Sequence, residues 1–214
     1  MQGRPLLSSV IAVALAFVLA PDPGADAGGR RSRPVRTGQT TCWDASGSVV
    51  TCTGTGQDGE LRRGEPRVYA DNGDGTVRDK RTALTWEKLS NDGSIHDKDN
   101  LYTWSEAFQK IADLNTEAFA GATDWRLPNE SELETIANRG NVFPAVSAEF
   151  NTACPSGCTV LTCSCTIAFE SIVWSSTTYV NTPTAAWLVN FYDGTAYTDA
   201  KSTPHQVRAV RGGS

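Results

Sequence analysis

Six cysteines, set as one spaced pair and one crowded group of four, constrain this chain more than any other feature. Cys42 and Cys52 form the pair, and Cys154, Cys158, Cys163 and Cys165 form the group. Whether such residues become bridges or metal ligands depends on the compartment, and the N-terminus bears on that. Arg4 supplies a positive start, Leu6 to Ala20 is apolar apart from Ser8 and Ser9, and Ala25-Asp26-Ala27 is a small-x-small cleavage sequence. A signal peptide over residues 1–27 is therefore expected. Its apolar run of about 15 residues falls short of the roughly 20 that span a bilayer, so no membrane span is expected after the leader is removed. The first cysteine lies well past the cleavage site, which argues against a lipid-attached terminus. The expected location is outside the cytoplasm: periplasmic, cell-surface or extracellular.

Disulfides persist in such a compartment. Cys42 and Cys52 enclose Asp44, Ser46 and Gly47, which can turn the chain back, and the simplest pairing is Cys42–Cys52 across a local hairpin. In the group of four, Cys163 and Cys165 are poor partners for each other, because alternate strand residues point along one face. Nested Cys154–Cys165 and Cys158–Cys163 pairs are preferred, with Cys154–Cys163 and Cys158–Cys165 as the alternative. The spacing lacks the paired C-x-x-C arrangement and has no nearby histidine, so no metal or other cofactor is expected.

Losing Arg4, Asp22 and Asp26 with the leader takes the 19 basic and 24 acidic side chains to 18 and 22. A mildly acidic body opposes a general attraction to phosphate or sulfate polymers, and no nucleic-acid partner is expected. The local exception is Arg30, Arg31, Arg33 and Arg36, in a Gly/Pro-containing stretch read as a flexible arm over residues 28–41. One domain, 42–214, follows.

That domain reads as short strands with two helices. Asp71-Asn-Gly-Asp-Gly75 is a hairpin turn between Pro66–Ala70 and Thr76–Arg78, and it fails the EF-hand ligand pattern. Thr103-Trp-Ser-Glu106 is a capping box opening a helix whose apolar stripe is Trp104, Ala107, Phe108, Ile111 and Ala112. Asn129-Glu-Ser-Glu132 repeats the capping logic, and Leu133, Ile136 and Ala137 form a second stripe ending before Gly140. Ala186–Tyr192, a two-residue Asp193-Gly194 turn and Thr195–Thr198 make another hairpin, covered on both faces or presenting aromatics to a partner. Val207–Arg211 is the last strand. The class is α+β, with a mostly antiparallel sheet.

Catalytic readings find little support. Gly54–Gly59 satisfies G-x-G-x-x-G without a βαβ setting, and no G-x-S-x-G, H-E-x-x-H or phosphate loop is present. His96, Asp97 and Asp99 fall in a hydrophilic loop, read as solvated, and His205 is read as packed beside the last strand. No catalytic residues are assigned and the chain is not expected to be an enzyme. Candidate binding residues are Trp174 and Tyr179, which flank Ser175–Thr178 as a polar shelf for a sugar ring, and the hairpin tyrosines Tyr192 and Tyr197.

Five strings in order, Asp71–Val77, Leu84-Thr-Trp-Glu87, Asp124-Trp-Arg-Leu-Pro128, Trp174–Tyr179 and Val207–Gly213, resemble the bacterial Legionella collagen-like protein C-terminal domain family from about Cys42 onward. The central string, Trp125, Arg126, Leu127 and Pro128, is the specific one. Arg126 is read as a structural pin, pairing with Asp124, Glu130 or Glu132 at a strand-to-helix turn. The resemblance implies a C-type-lectin-like or formylglycine-generating-enzyme-like fold. The oxidase's copper-binding cysteines find no counterpart among these six. It also implies a recognition or adhesion module attaching to glycans or to a cell-surface protein, and a trimer, although the chain has no Gly-x-y repeat to drive one. An enzyme on the oxidase-like scaffold and a calcium-dependent lectin are the alternatives.

Overall fold

The structure is a computed structural model, described over residues 34–167 and 171–213. The expected signal peptide, residues 1–27, and Arg30, Arg31 and Arg33 of the expected arm lie outside the described residues. Residues 34–41 of the arm hydrogen-bond to the body: the Arg36 amide donates to Glu65 O, the Glu65 amide to Pro34 O, and the Arg139 amide to Thr37 O.

Twelve elements follow in order: β1 (Cys42–Trp43), β2 (Val49–Val50), α1 (Asp58–Leu61), β3 (Tyr69–Asp71), β4 (Thr76–Asp79), β5 (Leu84–Glu87), α2 (Trp104–Thr116), α3 (Glu130–Ile136), β6 (Ile172–Thr178), β7 (Ala185–Asn190), β8 (Thr195–Ala200) and β9 (Val210–Gly212). The strands form three antiparallel sheets, β1-β2, β3-β4-β5-β9 and β6-β7-β8. The α+β class and mostly antiparallel pairing are as expected, and α1, a single turn, adds a third helix. Both capping boxes are present, at Thr103 with Glu106 and at Asn129 with Glu132.

Alternation along β6 and β7 divides the core in two. Val173 and Val189 face Val77, Leu84, Trp86, Leu133 and Ile136, while Trp174, Ala186 and Leu188 face Ala107, Ile111, Leu114, Trp125 and Leu127. The β6-β7-β8 sheet is thus covered on both faces, one of the two outcomes the hairpin pattern allowed. Its connection differs from expectation. Asn190 pairs with Thr195, so Phe191 to Gly194 form a four-residue loop in place of the two-residue turn. Phe191 leaves the ladder because its amide donates to Ser171 O and its carbonyl accepts from the Ala145 amide, burying the ring in the first core.

The three disulfides are Cys42–Cys52, Cys154–Cys165 and Cys158–Cys163, the preferred nesting. The second and third pack under Leu89 as a small separate cluster.

Helix α2 departs from the expected phase. Its buried face is Ala107, Lys110, Ile111 and Leu114, and Phe108, assigned to the core from periodicity, is 41% exposed. The cause is Lys110, whose ammonium lies 2.9 Å from Glu87 Oε1 and donates to Val207 O at 3.0 Å. The Glu87 carboxylate also meets His96 Nδ1 at 2.7 Å and accepts the Ala209 amide at 2.8 Å. Burial acts to raise the Glu87 carboxyl, but the Lys110 charge and the His96 and Ala209 hydrogen bonds outweigh it and hold the group at about 2. Burial pushes the Lys110 ammonium down against the pull of Glu87.

Removing one partner of a buried pair leaves the other charge uncompensated. Lys110→Ala is expected to cost about 3–5 kcal/mol in urea unfolding, and Glu87→Gln combined with Lys110→Met to restore much of that loss. Because the folded Glu87 value lies below its ordinary 4.5, the contribution is complete above that pH and is lost as pH falls toward 2. Acid titration of stability should therefore show a limb in this window that Glu87→Gln flattens.

Candidate recognition groove

The Asp124–Pro128 string alternates as a short extended segment against β9. The Arg126 amide donates to Val210 O at 2.9 Å and the Val210 amide returns to Arg126 O at 3.0 Å. Trp125 and Leu127 point into the core, and the Trp125 indole donates to Phe119 O. Pro128 O accepts the Ser176 amide, anchoring the turn to β6. Arg126 takes the outward side. Its guanidinium grips Glu132 through two bonds of 2.7 and 2.6 Å and donates a third to Gly212 O at 3.1 Å. Of the three carboxylates named in advance, Glu132 is the partner.

Glu132 is held from a second direction, since its carboxylate accepts the Asn129 amide at 2.9 Å while the Asn129 side chain accepts the Glu132 amide at 2.8 Å. The hydrogen bonds to Glu132 raise the Arg126 pKa; partial burial pushes Glu132 up, but Arg126 and the Asn129 amide bring it below the ordinary range. Both groups stay charged and their charges cancel.

Around this pair opens a groove of about 490 Å³, lined by Thr82, Leu84, Arg126, Asn129, Ser131, Glu132, Thr135 and Gly213. Three elements meet there: the turn into β5, the first turns of α3 and the residues after β9.

The candidate aromatics do not assemble into one surface. Trp174 is 0% exposed, and its indole donates to Tyr102 O at 2.9 Å. The expectation that it grips a ligand is corrected to a core role, because alternation turns it inward against Leu188. Tyr179 packs edge-on against Trp187 beside the start of β7, whereas Tyr192 lies in the loop beyond its end, against Phe143. Tyr197 pairs with Leu188 on the face opposite Trp187. The polar shelf is satisfied internally: Ser175 donates to Trp187 O, Thr177 accepts the Glu130 amide and Thr178 accepts from Lys201.

Neither histidine sits in solvent. His96, read as part of a solvated loop, is 9% exposed and turned to Glu87, while Asp97 accepts the Gly93 and Asp99 amides. His205 packs on Trp174 and meets Asp199 at 2.8 Å, as its packed reading required. Among the described residues, the sole His/Cys/Asp/Glu group close enough to hold an ion is the four clustered cysteines, which are bridged to one another. Sequence reasoning missed the groove, though the signal was present in the second capping box following directly on Arg126.

Arg126→Lys keeps the charge and loses the two-pronged grip. A loss of about 1–2 kcal/mol in thermal unfolding is expected, with Glu132→Gln giving a similar loss and the double variant little more than either.

The family model of the Lcl C-terminal domain matches residues 75–211. The match begins in the β3–β4 turn and ends in β9, so it takes in the groove residues from Thr82 to Thr135, both longer helices and the cysteine cluster, while the Cys42–Cys52 hairpin lies outside it. No curated protein matches the sequence. With most of its length covered by that model, the chain belongs to the Lcl C-terminal domain family.

Proposed function

We propose that this protein is an exported, non-enzymatic recognition module and that the Arg126–Glu132 groove binds neutral glycan on an envelope or cell surface. The observation that carries the reading is the groove's chemistry. The guanidinium, amide and carboxylate groups of Arg126, Asn129 and Glu132 line it beside the apolar side chain of Leu84, together with the Thr82, Ser131 and Thr135 hydroxyls, which also donate to Asp79, Glu130 and Glu132 O. Sugar hydroxyls donate and accept at once, and planar side chains with fixed orientation match them in pairs. The Arg126 guanidinium has five N–H donors, of which the contacts above use three. Glu132 and Asn129 are held in place by the capping box, so little side-chain entropy remains to be lost on binding.

Neutrality selects the ligand class. The Arg126 charge is matched within the groove, and the chain as a whole carries formal charge −5. A sulfated polymer would meet no excess of cations there. The non-enzymatic part of the reading is supported by the placement of the reactive side chains. Glu87, Lys110 and His96 are buried and paired with one another, and the cysteines are in disulfides.

Ser131 is exposed at the groove, and Ser131→Trp places a large side chain there without replacing a core residue. On a glycan array at two salt concentrations, the oxidised protein is expected to bind a restricted set of uncharged glycans with little salt dependence. Ser131→Trp should lose at least about tenfold in affinity, equivalent to about 1.4 kcal/mol, with an unchanged melting temperature. A blank array, or binding confined to sulfated glycans and abolished by salt, would count against the proposal.

A further inference from the structure

We infer that Cys154, Cys158, Cys163 and Cys165, once reduced, form a tetrahedral four-thiolate zinc site, so that two disulfides and one metal ion are alternative ways of closing the same loop. The four sulfurs lie within 4.8 Å of one another. Thiolates about 2.3 Å from a zinc ion at the corners of a tetrahedron are about 3.8 Å apart. Cys165 Sγ stands 3.8 Å from Cys158 Sγ and 3.6 Å from Cys163 Sγ, and both are contacts between different bridges. Those two edges of the tetrahedron are already at length, and reduction frees the two bonded edges to open toward it. The cysteines lack the C-x-x-C spacing, but that spacing serves only to bring sulfurs together, and here the fold does so.

The convergence does not depend on the bridges alone. Asn91 holds the start of the loop: its amide donates to Cys158 O at 2.9 Å, its carbonyl accepts the Gly157 amide at 2.6 Å, and its side chain donates to Cys154 O at 3.2 Å. The end of the loop is held by Leu89 O, which accepts the Cys165 amide at 2.8 Å, and by Thr152, whose amide and hydroxyl bond to the Ser164 carbonyl and amide. Thr159 O accepts the Cys163 amide at 2.9 Å. Each of the four cysteines thus has a backbone group pinned by a hydrogen bond that reduction leaves in place, and the freed sulfurs stay aimed at a common centre.

Charge and ligand type select the occupant. A zinc ion held by four thiolates carries a net double negative charge, and Cys163 and Cys165 are 1% and 0% exposed, so a cation must lie close by. Arg208 supplies it. Its buried guanidinium spends its bonds on neutral oxygens, Glu87 O, the Thr166 hydroxyl and Cys165 O, the last belonging to one of the ligands themselves. Cys154 is half-buried and gives the ion a way in. Calcium and magnesium take oxygen ligands, whereas four sulfurs in a tetrahedron suit zinc.

A phosphine reductant opens the site in a balanced step: two disulfides, two phosphines and two waters give four thiols and two phosphine oxides. Zinc then displaces the four thiol protons. The full chain, reduced with a phosphine, given zinc and gel-filtered, is expected to retain one zinc ion, and cobalt in its place to give the intense visible absorption of tetrahedral thiolate ligation. Zinc should also raise the melting temperature of the reduced chain. Replacing a residue that merely orients a metal ligand costs about 10–100-fold in affinity, so Cys163→Ser and Cys165→Ser should each cost at least about a hundredfold. Cys42→Ser combined with Cys52→Ser should leave the affinity unchanged. No retained zinc, a pale cobalt spectrum of octahedral oxygen ligation, or zinc that survives Cys165→Ser overturns the inference. Zinc that binds without raising the melting temperature also overturns it, since the ion would then sit on an unfolded chain, as does equal retention by the oxidised protein, which would place the ion elsewhere.

Discussion

One buried carboxylate organises this fold. Glu87 ends β5, is 0% exposed and receives bonds from three separate parts of the chain: His96 in the loop after β5, Lys110 on α2 and the Ala209 amide in the C-terminal segment. Removing a carboxylate from water costs several kcal/mol unless its oxygens are satisfied, and here both are. The same reasoning extends to Arg208, whose buried guanidinium donates to Glu87 O, Cys165 O and the Thr166 hydroxyl. Burial brings that guanidinium down to about 10, still charged at neutral pH. The final segment is therefore specified by more than apolar contact. It must present an amide to Glu87 and an arginine to three oxygens, and no neighbouring register offers both.

The consequences spread outward from that point. With Lys110 turned in, α2 rotates so that Phe108 reaches the surface, where its ring meets Trp104 edge-on and Lys201 lies over the Trp104 ring at 3.8 Å. With Ala209 fixed, Val210 is placed to bridge Arg126, and through it the Asp124–Pro128 string is set against β9. The groove is thus a downstream product of the buried network: Arg126 is aimed by a strand whose position Glu87 determines.

Local features were legible in the sequence and distant ones were not, and the boundary is physical. The Cys42–Cys52 bridge, the two capping boxes and the pairing of Arg126 with one of three nearby carboxylates, Asp124, Glu130 or Glu132, all depend on residues within about a dozen positions, where chain geometry limits the options. Lys110 and Glu87 are separated by 23 positions and Lys110 and Val207 by 97. Periodicity alone assigned Phe108 to the core because it rates lysine as a surface residue, and only the remote partner makes lysine the better occupant. Trp174 was misread for a related reason. A tryptophan among serines and threonines suggests a polar surface, yet those hydroxyls are spent on Trp187 O, the Glu130 amide and Lys201. His96 lies in a run of charged and polar residues that looks solvated until a buried carboxylate is placed beside it.

The two most distinctive strings, Asp124–Pro128 and Val207–Gly213, are joined by the paired Arg126–Val210 backbone bonds and by the Arg126 side chain on Gly212 O, and the glycines explain why the second ends as it does. The Gly212 carbonyl accepts from Arg126, and both Gly212 and Gly213 have positive φ, a conformation that other L-residues resist. A Cβ on Gly213 would approach Leu84 Cδ2 to 2.7 Å, pressing on the apolar side of the groove. The closing Arg-Gly-Gly therefore does two things at once. It lets the chain turn closely past Leu84 and brings a carbonyl to the guanidinium that Glu132 already holds. The groove depends on both strings, since α3 alone would leave Arg126 with Glu132 and no third contact.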